Sequence, residues 1–228
     1  MRKLILLPLA LISSGIMMSA AASTTDEGYY GAARLSKVWQ KAHNMDTSSR
    51  PGIGQFVSGD DKEDFYNGSI AAGYQYGNGW RTEAEYTFKK KSEYTSGSSN
   101  FPNSLNHHKT DVQRLMLNAY RDYNVYKDIS VYGTAGIGIA KVKSSGWQNV
   151  PANQFASNTD TNLAYSLGAG VSYEPIERLN FDLGYRYIDL GKVETGYNNF
   201  RNFRGLKDEQ MKAHLKAHEI NLGVRYTF

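Results

Sequence analysis

Five histidines are the residues of this sequence best suited to acid-base or metal chemistry: His43, His107, His108, His214 and His218. A histidine beside a serine or aspartate can activate a nucleophile, and closely spaced histidines can ligate a metal. No glutamate separates the last two in a His-Glu-x-x-His order, and the chain has no cysteine. We therefore predict solvated loop histidines and no catalytic residue, metal or cofactor. A catalytic site among these loop histidines stays an open alternative.

A second short motif, Gly136-Ile137-Gly138, resembles part of a phosphate-binding loop. Such a loop needs a helix directly after it, because the helix N-terminus helps to hold the phosphate. Here the flanking residues continue an alternating apolar pattern instead. The motif therefore predicts glycines within a β-strand.

Binding chemistry is indicated more strongly, because basic residues cluster beside aromatic residues. The segment 191–217 holds six basic and three acidic residues, together with Tyr197, Phe200 and Phe203. Basic charge attracts polyanions, and aromatic rings stack on sugars or bases. We predict ligand contacts from a larger set, namely Lys90, Lys91, His107, His108, Lys109, Arg201, Phe203, Arg204 and Lys207.

The partner that this chemistry predicts is an anionic glycan. Sulfated glycosaminoglycans of host cells and the phosphates of lipopolysaccharide are polyanions available at a cell exterior, whereas nucleic acid is not an expected partner there. For the lysines at 89–91, an alternative is anchoring to lipid headgroups just above an apolar band. Residues 207–218 could form a short helix, since Asp208 lies toward its start and Lys216 toward its end.

The elements that carry these residues are predicted to be β-strands, because apolar and polar residues alternate over long segments. About eight segments show the pattern: 28–39, 65–76, 80–90, 112–123, 129–143, 161–173, 180–190 and 218–228. A strand with one apolar and one polar face suits a barrel wall between lipid and lumen. Soluble barrels place apolar residues inside instead. We therefore predict an all-β fold, an eight-stranded antiparallel transmembrane β-barrel in a bacterial outer membrane.

The connections between these segments alternate between short and long. Short ones are 77–79, 122–128 and 174–179, and long ones are 40–64, 91–111, 144–160 and 191–217. In outer-membrane barrels the short turns face the periplasm and the long loops face outward. The sequence therefore predicts four long extracellular loops, exposed at the cell surface, and short periplasmic turns.

Alternation also predicts which charged residues point into the lumen. The inward set is balanced, with four arginines and four carboxylates: Arg34, Arg81, Arg186, Arg225, Glu83, Glu85, Asp182 and Glu219. Buried charges are costly unless they are paired and hydrogen-bonded. We predict a packed charge network, because about eight strands leave an interior that side chains can fill, and an ion pathway is the alternative.

The first residues predict a secretory signal peptide over residues 1–22. Arg2 and Lys3 precede an apolar run, and small residues at 20–22 offer a cleavage site. Residues 23–228 then form a single barrel domain. The absence of cysteine excludes a disulfide framework in this exported domain.

Several stretches resemble known families. The closing segment 223–228, with Tyr226 and the final Phe228, is similar to the assembly signal that the barrel assembly machinery recognises in outer-membrane barrels. The run 181–191 resembles the seventh strand of opacity-like surface barrels. The whole chain, including its Gly-Tyr-Tyr-Gly start at 28–31, resembles the Tia and Hek group of heat-resistant agglutinins.

This resemblance implies an adhesin-invasin that mediates adhesion, autoaggregation and epithelial invasion. It implies heparan sulfate proteoglycans as host receptors, with the second loop, here 91–111, as a principal contact. Two alternatives stay open. One is a surface-protection barrel that binds serum or matrix proteins, and the other is a lipid-modifying enzyme at the barrel rim.

Overall fold

The computed structural model describes residues 27–45, 52 and 54–228. The predicted signal segment 1–22 lies outside the described residues. The described residues form nine strands, which are β1 Gly28–His43, β2 Phe56–Ser58, β3 Lys62–Gln75, β4 Trp80–Ser98, β5 Phe101–Tyr126, β6 Ile129–Gln148, β7 Gln154–Ile176, β8 Leu179–Glu194 and β9 Lys212–Thr227. Over these described ranges, no helix is long and apolar enough to cross a membrane.

Eight of the strands close into a ring, which confirms the predicted barrel. Each strand pairs antiparallel with the next in the order β1, β3, β4, β5, β6, β7, β8 and β9, and β9 returns to β1. The short β2 lies outside the ring and pairs with the outer end of β4, where Val57 faces Gly97. Closure leaves no edge along the paired part of the wall, so its backbone polar groups are satisfied without water.

A band of exposed apolar side chains surrounds the lower part of the barrel. Seven strands each contribute a residue that is more than half exposed: Leu35, Ile70, Leu117, Ile137, Leu167, Leu183 and Leu222. Their neighbours in sequence point inward, as the period of two requires. This band is the surface that faces lipid.

The polarity of the two faces reverses partway along the strands, and β6 shows where. Ile137 and Ile139 point outward and are exposed, but the next outward residues are Lys141 and Lys143. Beyond this point the wall faces water, so apolar side chains turn inward. β5 has 26 residues, whereas a tilted strand crosses a bilayer with about 9 to 11. The barrel therefore projects well beyond the membrane.

The upper interior is an apolar plug that the sequence pattern did not predict. Its members are buried and form one cluster: Ala42, Met45, Tyr94, Val112, Met116, Ala140, Val142, Ala164, Ile188, Leu190, Val193, Ala213 and Leu215. Most of them lie above the charged part of the lumen, whereas Met116 lies beside Glu85. Buried polar side chains, such as Gln40, Ser92, Thr110 and Ser144, are interspersed with this cluster.

Two expectations for the outer connections are wrong. Most of segment 91–111 is strand, because β4 runs to Ser98 and β5 begins at Phe101. Segment 144–160 is likewise shortened to a turn between β6 and β7. Residues 212–218 form no helix, since their backbone pairs with both β8 and β1. That ladder takes the hydrogen bonds a helix would need.

Candidate functional site

The lower lumen is centred on Arg186, which lies between two carboxylates. Its Nη1 is 2.5 Å from Oε2 of Glu85, and its Nη2 is 2.9 Å from Oε2 of Glu219. Glu219 also accepts from Nη2 of Arg114 at 2.7 Å. All four side chains are buried, where an unpaired charge would be costly. The direct contacts between them balance their charges.

A second part of the network surrounds Glu83. Arg34 donates two hydrogen bonds to this carboxylate, at 2.9 and 2.6 Å. The hydroxyls of Tyr30 and Tyr120 donate to it at 3.1 and 3.0 Å. Together with a longer hydrogen bond from Asn118 at 3.4 Å, these contacts fix the side chains around Glu83.

The third part lies nearest the short turns. Arg81 binds Asp122 through its Nε, at 2.7 Å, and its guanidinium stacks 4.2 Å from the ring centre of Tyr120. Arg225 lies 3.4 Å from Asp182. The structure therefore brings all eight predicted inward charges into contacts, and it adds Arg114 and Asp122. Arg114 lies two residues from buried Met116 on β5 and therefore points to the same side of the wall. The alternation of the sequence could thus have predicted its inward position.

This network offers structural rather than catalytic chemistry. Its carboxylates accept mainly from arginines and tyrosines. The buried hydroxyl of Ser172 also belongs to it, since it donates to Asp182 at 2.7 Å and accepts from Arg225 at 3.2 Å. The side chains fill the width of the barrel and tie its walls together. The lower lumen is therefore a rigid plug.

The adjacent histidines at 107 and 108 point to opposite sides of the wall. His107 stacks on Trp147, with ring centres 3.6 Å apart, and its Nδ1 is 2.8 Å from Glu93. His108 points inward and is only 3 % exposed, and this burial lowers its pKa to about 4. The prediction that His108 contacts a surface ligand is therefore wrong, because its ring lies inside the barrel wall.

The histidines at 214 and 218 lie on β9, where four residues of strand separate them by about 13 Å. His214 binds Asp189 at 2.6 Å, and His218 hydrogen-bonds the hydroxyl of Tyr185 at 2.5 Å. The spacing would bring two histidines together on a helix but not on a strand. In the part of the chain that the structure describes, no three His, Cys, Asp or Glu residues are grouped to hold a metal.

The basic residues of the β4–β5 hairpin lie on the side of the barrel. Lys109 is 3.5 Å from Glu93, and Lys91 is exposed. Lys90 is placed differently, over the ring of Phe65 at 5.4 Å, where β3 and β4 have separated. These lysines lie only a few residues above the lipid-facing band.

The remaining predicted contacts lie at the apex of the barrel. A cleft of about 240 Å³ opens between the tips of the β4–β5 and β6–β7 hairpins and the segment that joins β8 to β9. Phe101, Phe203 and Arg201 line it, with the two phenylalanine rings 5.8 Å apart. Arg204 and Lys207 are exposed nearby, and Arg204 pairs with Asp208 at 2.8 Å.

Two buried asparagines hold the apical segment in place. Asn202 Oδ1 accepts from the backbone of Arg204 at 3.0 Å and of Leu206 at 2.9 Å. Asn198 donates to the carbonyl of Phe200 at 2.8 Å and accepts from the backbone of residue 209. The loop is thereby ordered with Arg201 and Phe203 facing outward. Asparagines are frequent in loops, so this role could not be predicted from the residue type alone.

The predicted assembly residues lie at the lower rim. Tyr226 and Phe228 are exposed, with ring centres 5.6 Å apart. The backbone N–H of Phe228 donates to the carbonyl of Tyr29 at 2.9 Å, which places the last residue against β1. Both rings thus flank the lipid-facing band.

Comparison with known proteins gives the family. The model of the outer membrane protein β-barrel domain matches residues 7–228. A Rickettsia rickettsii protein that carries the provisional name of adhesin is 27% identical, over 99% of this chain and 99% of its own. Outer membrane protein PagN of Salmonella typhimurium is 26% identical over 72% of this chain and 73% of its own.

Among solved structures, Neisserial surface protein A has a similar fold. It covers 88% of this chain and 97% of its own, with a TM-score of 0.53 and 18% identity. The family model spans nearly the whole chain, and the apolar band supplies the surface that such a domain presents to lipid. This chain therefore belongs to the outer membrane protein β-barrel family, lying in the bacterial outer membrane with its long hairpins at the cell surface.

Proposed function

We propose that this protein is an adhesin-invasin of the Tia and Hek type, whose apex binds anionic host glycans of the heparan sulfate class. The observation that carries the proposal is the apical cleft, where Phe101, Phe203 and Arg201 converge beside exposed Arg204 and Lys207. Aromatic rings stack on the faces of sugars, and guanidinium groups bind sulfate or carboxylate through paired hydrogen bonds.

The height of the cleft supports a role in contact with another cell. Each residue of a tilted barrel strand rises about 2.5 Å along the barrel axis. Phe101 lies fourteen residues beyond lipid-facing Leu115 on β5, so it stands roughly 35 Å above the apolar band. A ligand on a host cell reaches this end of the barrel first.

The proposal assigns no turnover to the protein. The barrel is a rigid mount, because its lumen is filled by charge pairs below and by the apolar plug above. The provisional name of the Rickettsia relative, adhesin, points the same way. Adhesion through the apex would then promote autoaggregation and invasion, as the resemblance to the agglutinins implies.

Adhesion by bacteria that express this protein tests the proposal. The variant carries R201Q, R204Q and K207Q, and the control carries K127Q at the opposite end of the barrel. We expect the variant to lose most adhesion to epithelial cells while the control adheres like wild type, and heparinase treatment of the cells to reduce wild-type adhesion. Full adhesion by the triple variant would overturn the assignment. If the variant loses adhesion but heparinase does not reduce wild-type adhesion, the ligand would instead be a serum or matrix protein.

A further inference from the structure

Five lysines form a stripe on the outer wall of β4, β5 and β6: Lys89, Lys91, Lys109, Lys141 and Lys143. We call this set the lysine stripe. Strand pairing brings its members together, because Lys91 lies opposite Asp111 on β5, and Asp111 in turn lies opposite Lys143 on β6. Lys141 and Lys143 were not among the predicted contacts. Their outward position follows only once β6 continues past the apolar band.

The height of the lysine stripe matches the lipid headgroups rather than the apex. Lys141 is two residues beyond lipid-facing Ile139, so it stands roughly 5 Å above the apolar band, given a rise of about 2.5 Å per residue. Lys109, six residues beyond Leu115, stands roughly 15 Å above it. The stripe therefore spans the layer where the phosphates and first sugars of an outer-leaflet glycolipid lie.

The stripe carries more positive charge than its neighbours balance. Lys89 pairs with Asp111 at 3.0 Å, and Lys109 pairs with Glu93 at 3.5 Å. Among the residues that the structure describes, no carboxylate lies within 4.0 Å of Lys91, Lys141 or Lys143. Three ammonium groups are thus left to attract an anion from outside the chain.

A groove between these lysines offers space for that anion. It has a volume of about 370 Å³ and is lined by Lys91, Lys109 and Lys143, with Ser145 and Thr110 beside them. Its acidic members are Glu93 and Asp111, which lysines already engage, and Glu63 on β3. Counting all three, the five lysines of the stripe still outnumber the carboxylates beside them. The groove opens on the outer wall, directly above the lipid-facing surface.

We propose that the lysine stripe binds the phosphate groups of outer-leaflet glycolipid and anchors the barrel beside it. Lysine suits this role, because a flexible stem with a compact charge reaches phosphates at several heights. Outer-leaflet glycolipid packs against this wall just above the apolar band, so its phosphates are the anions nearest to the lysine stripe. This site is distinct from the apical cleft and does not rest on the function proposed for that cleft.

Binding of lipid A tests the proposal directly. Wild-type protein and the triple variant K91Q, K141Q and K143Q are placed in phosphatidylcholine nanodiscs that contain diphosphoryl lipid A or the same lipid A with its phosphates removed. Bound lipid A is then measured by native mass spectrometry. Each lysine near an anionic lipid surface contributes about fivefold in affinity, so the variant should bind diphosphoryl lipid A about 100-fold more weakly. Both proteins should bind the dephosphorylated form alike.

The apical variant R201Q, R204Q and K207Q is the matched control. We expect it to retain lipid A like wild type and to lose heparin binding, with the reverse for the stripe variant. Equal lipid A binding by wild type and a correctly folded stripe variant would overturn the proposal, as would unchanged binding after removal of the phosphates. Loss of heparin binding alone in the stripe variant would mean that these lysines hold a free polyanion instead. Migration of unheated samples on gels verifies that each variant is folded.

Discussion

Arg186 and Glu85 meet across the lumen, with Nη1 and Oε2 2.5 Å apart, although β8 and β4 lie on opposite sides of the ring. Arg186 also contacts Glu219 on neighbouring β9. Arg186 and its two partners therefore tie β8, β4 and β9 together through the centre of the barrel. It also fixes register, since a shift by one residue would turn Arg186 toward lipid.

Reversing the charge of Arg186 should destabilise the barrel strongly. In R186E, three carboxylates would meet in a buried space, and breaking a buried ion pair costs about 3 to 5 kcal/mol. The same reversal at half-exposed Lys212, which pairs with Glu194, should cost less than about 1 kcal/mol. Urea unfolding in lipid vesicles measures both. Equal unfolding midpoints would show that water screens the lumen charges.

The filled interior predicts that the barrel conducts no ions. An ion would have to cross the network around Arg186 and Glu83 and then the packed side chains of the apolar plug, at a large cost in lost hydration. Purified protein in a planar bilayer should show no current steps at either positive or negative applied voltage. Regular current steps, blocked by antibody to the outer loops, would contradict the packing described for this lumen.

The barrel was predictable from sequence because the lipid-facing half of each strand obeys one rule. On β6, Ile137 and Ile139 face lipid, and Gly138 between them faces the lumen, where side chains must be small or polar. Above the membrane the rule reverses, so the alternation around Lys141 and Lys143 has the opposite meaning. The strand residues beyond this point, within 91–111 and 144–160, were taken for loops, which is why the length of the hairpins was underestimated.

The candidate site was less predictable than the fold. The inward charges follow from the alternation of the strands alone. Arg114 was missed although it lies within the predicted strand 112–123 and alternates in step with Met116. The division between apex and lysine stripe depends on height, which the sequence does not show. Lys91 and Arg201 are similar in charge, yet they lie at opposite ends of the projecting wall. This difference in position becomes visible only from the strand bounds of the structure.

Two glycines of β6 give a matched test of how tightly the wall is packed. A Cβ at Gly138 would lie 2.1 Å from the backbone oxygen of Leu115 and 2.7 Å from Cα of Met116, neither of which can move freely. G138A should therefore destabilise the barrel by about 1 to 3 kcal/mol. A Cβ at Gly133 meets no described atom within 4 Å, so G133A should be neutral or slightly stabilising. Thermal unfolding compares them, and equal losses would contradict the packing around Gly138.

Buried His108 should make the upper barrel sensitive to acid. Burial lowers its pKa to about 4, against about 6.5 in the unfolded chain, so below about pH 6.5 the unfolded state binds a proton that the folded state does not. Its contribution is complete above about pH 6.5 and declines as pH falls toward about 4, by about 3 kcal/mol in total.

The variant H108Q removes this proton and isolates the effect from other acid-sensitive groups. Urea unfolding at neutral pH and at about pH 4.5 should show a smaller loss of stability in H108Q than in wild type. The same substitution at His218, whose side chain is exposed, is the control for replacing a histidine that is not buried. An identical loss in wild type and H108Q would mean that His108 is solvated or changes place when protonated.

The affinity for heparin across a series of salt concentrations tests the central claim most directly. Each cation that contacts a sulfate releases counterions, so the slope of log affinity against log salt counts those contacts. Arg204 is already paired with Asp208, so R201Q, R204Q and K207Q together should make the slope shallower by about two. We expect this change in the apical variant and none in the lysine-stripe variant. Wild-type affinity and slope in the apical variant would contradict it.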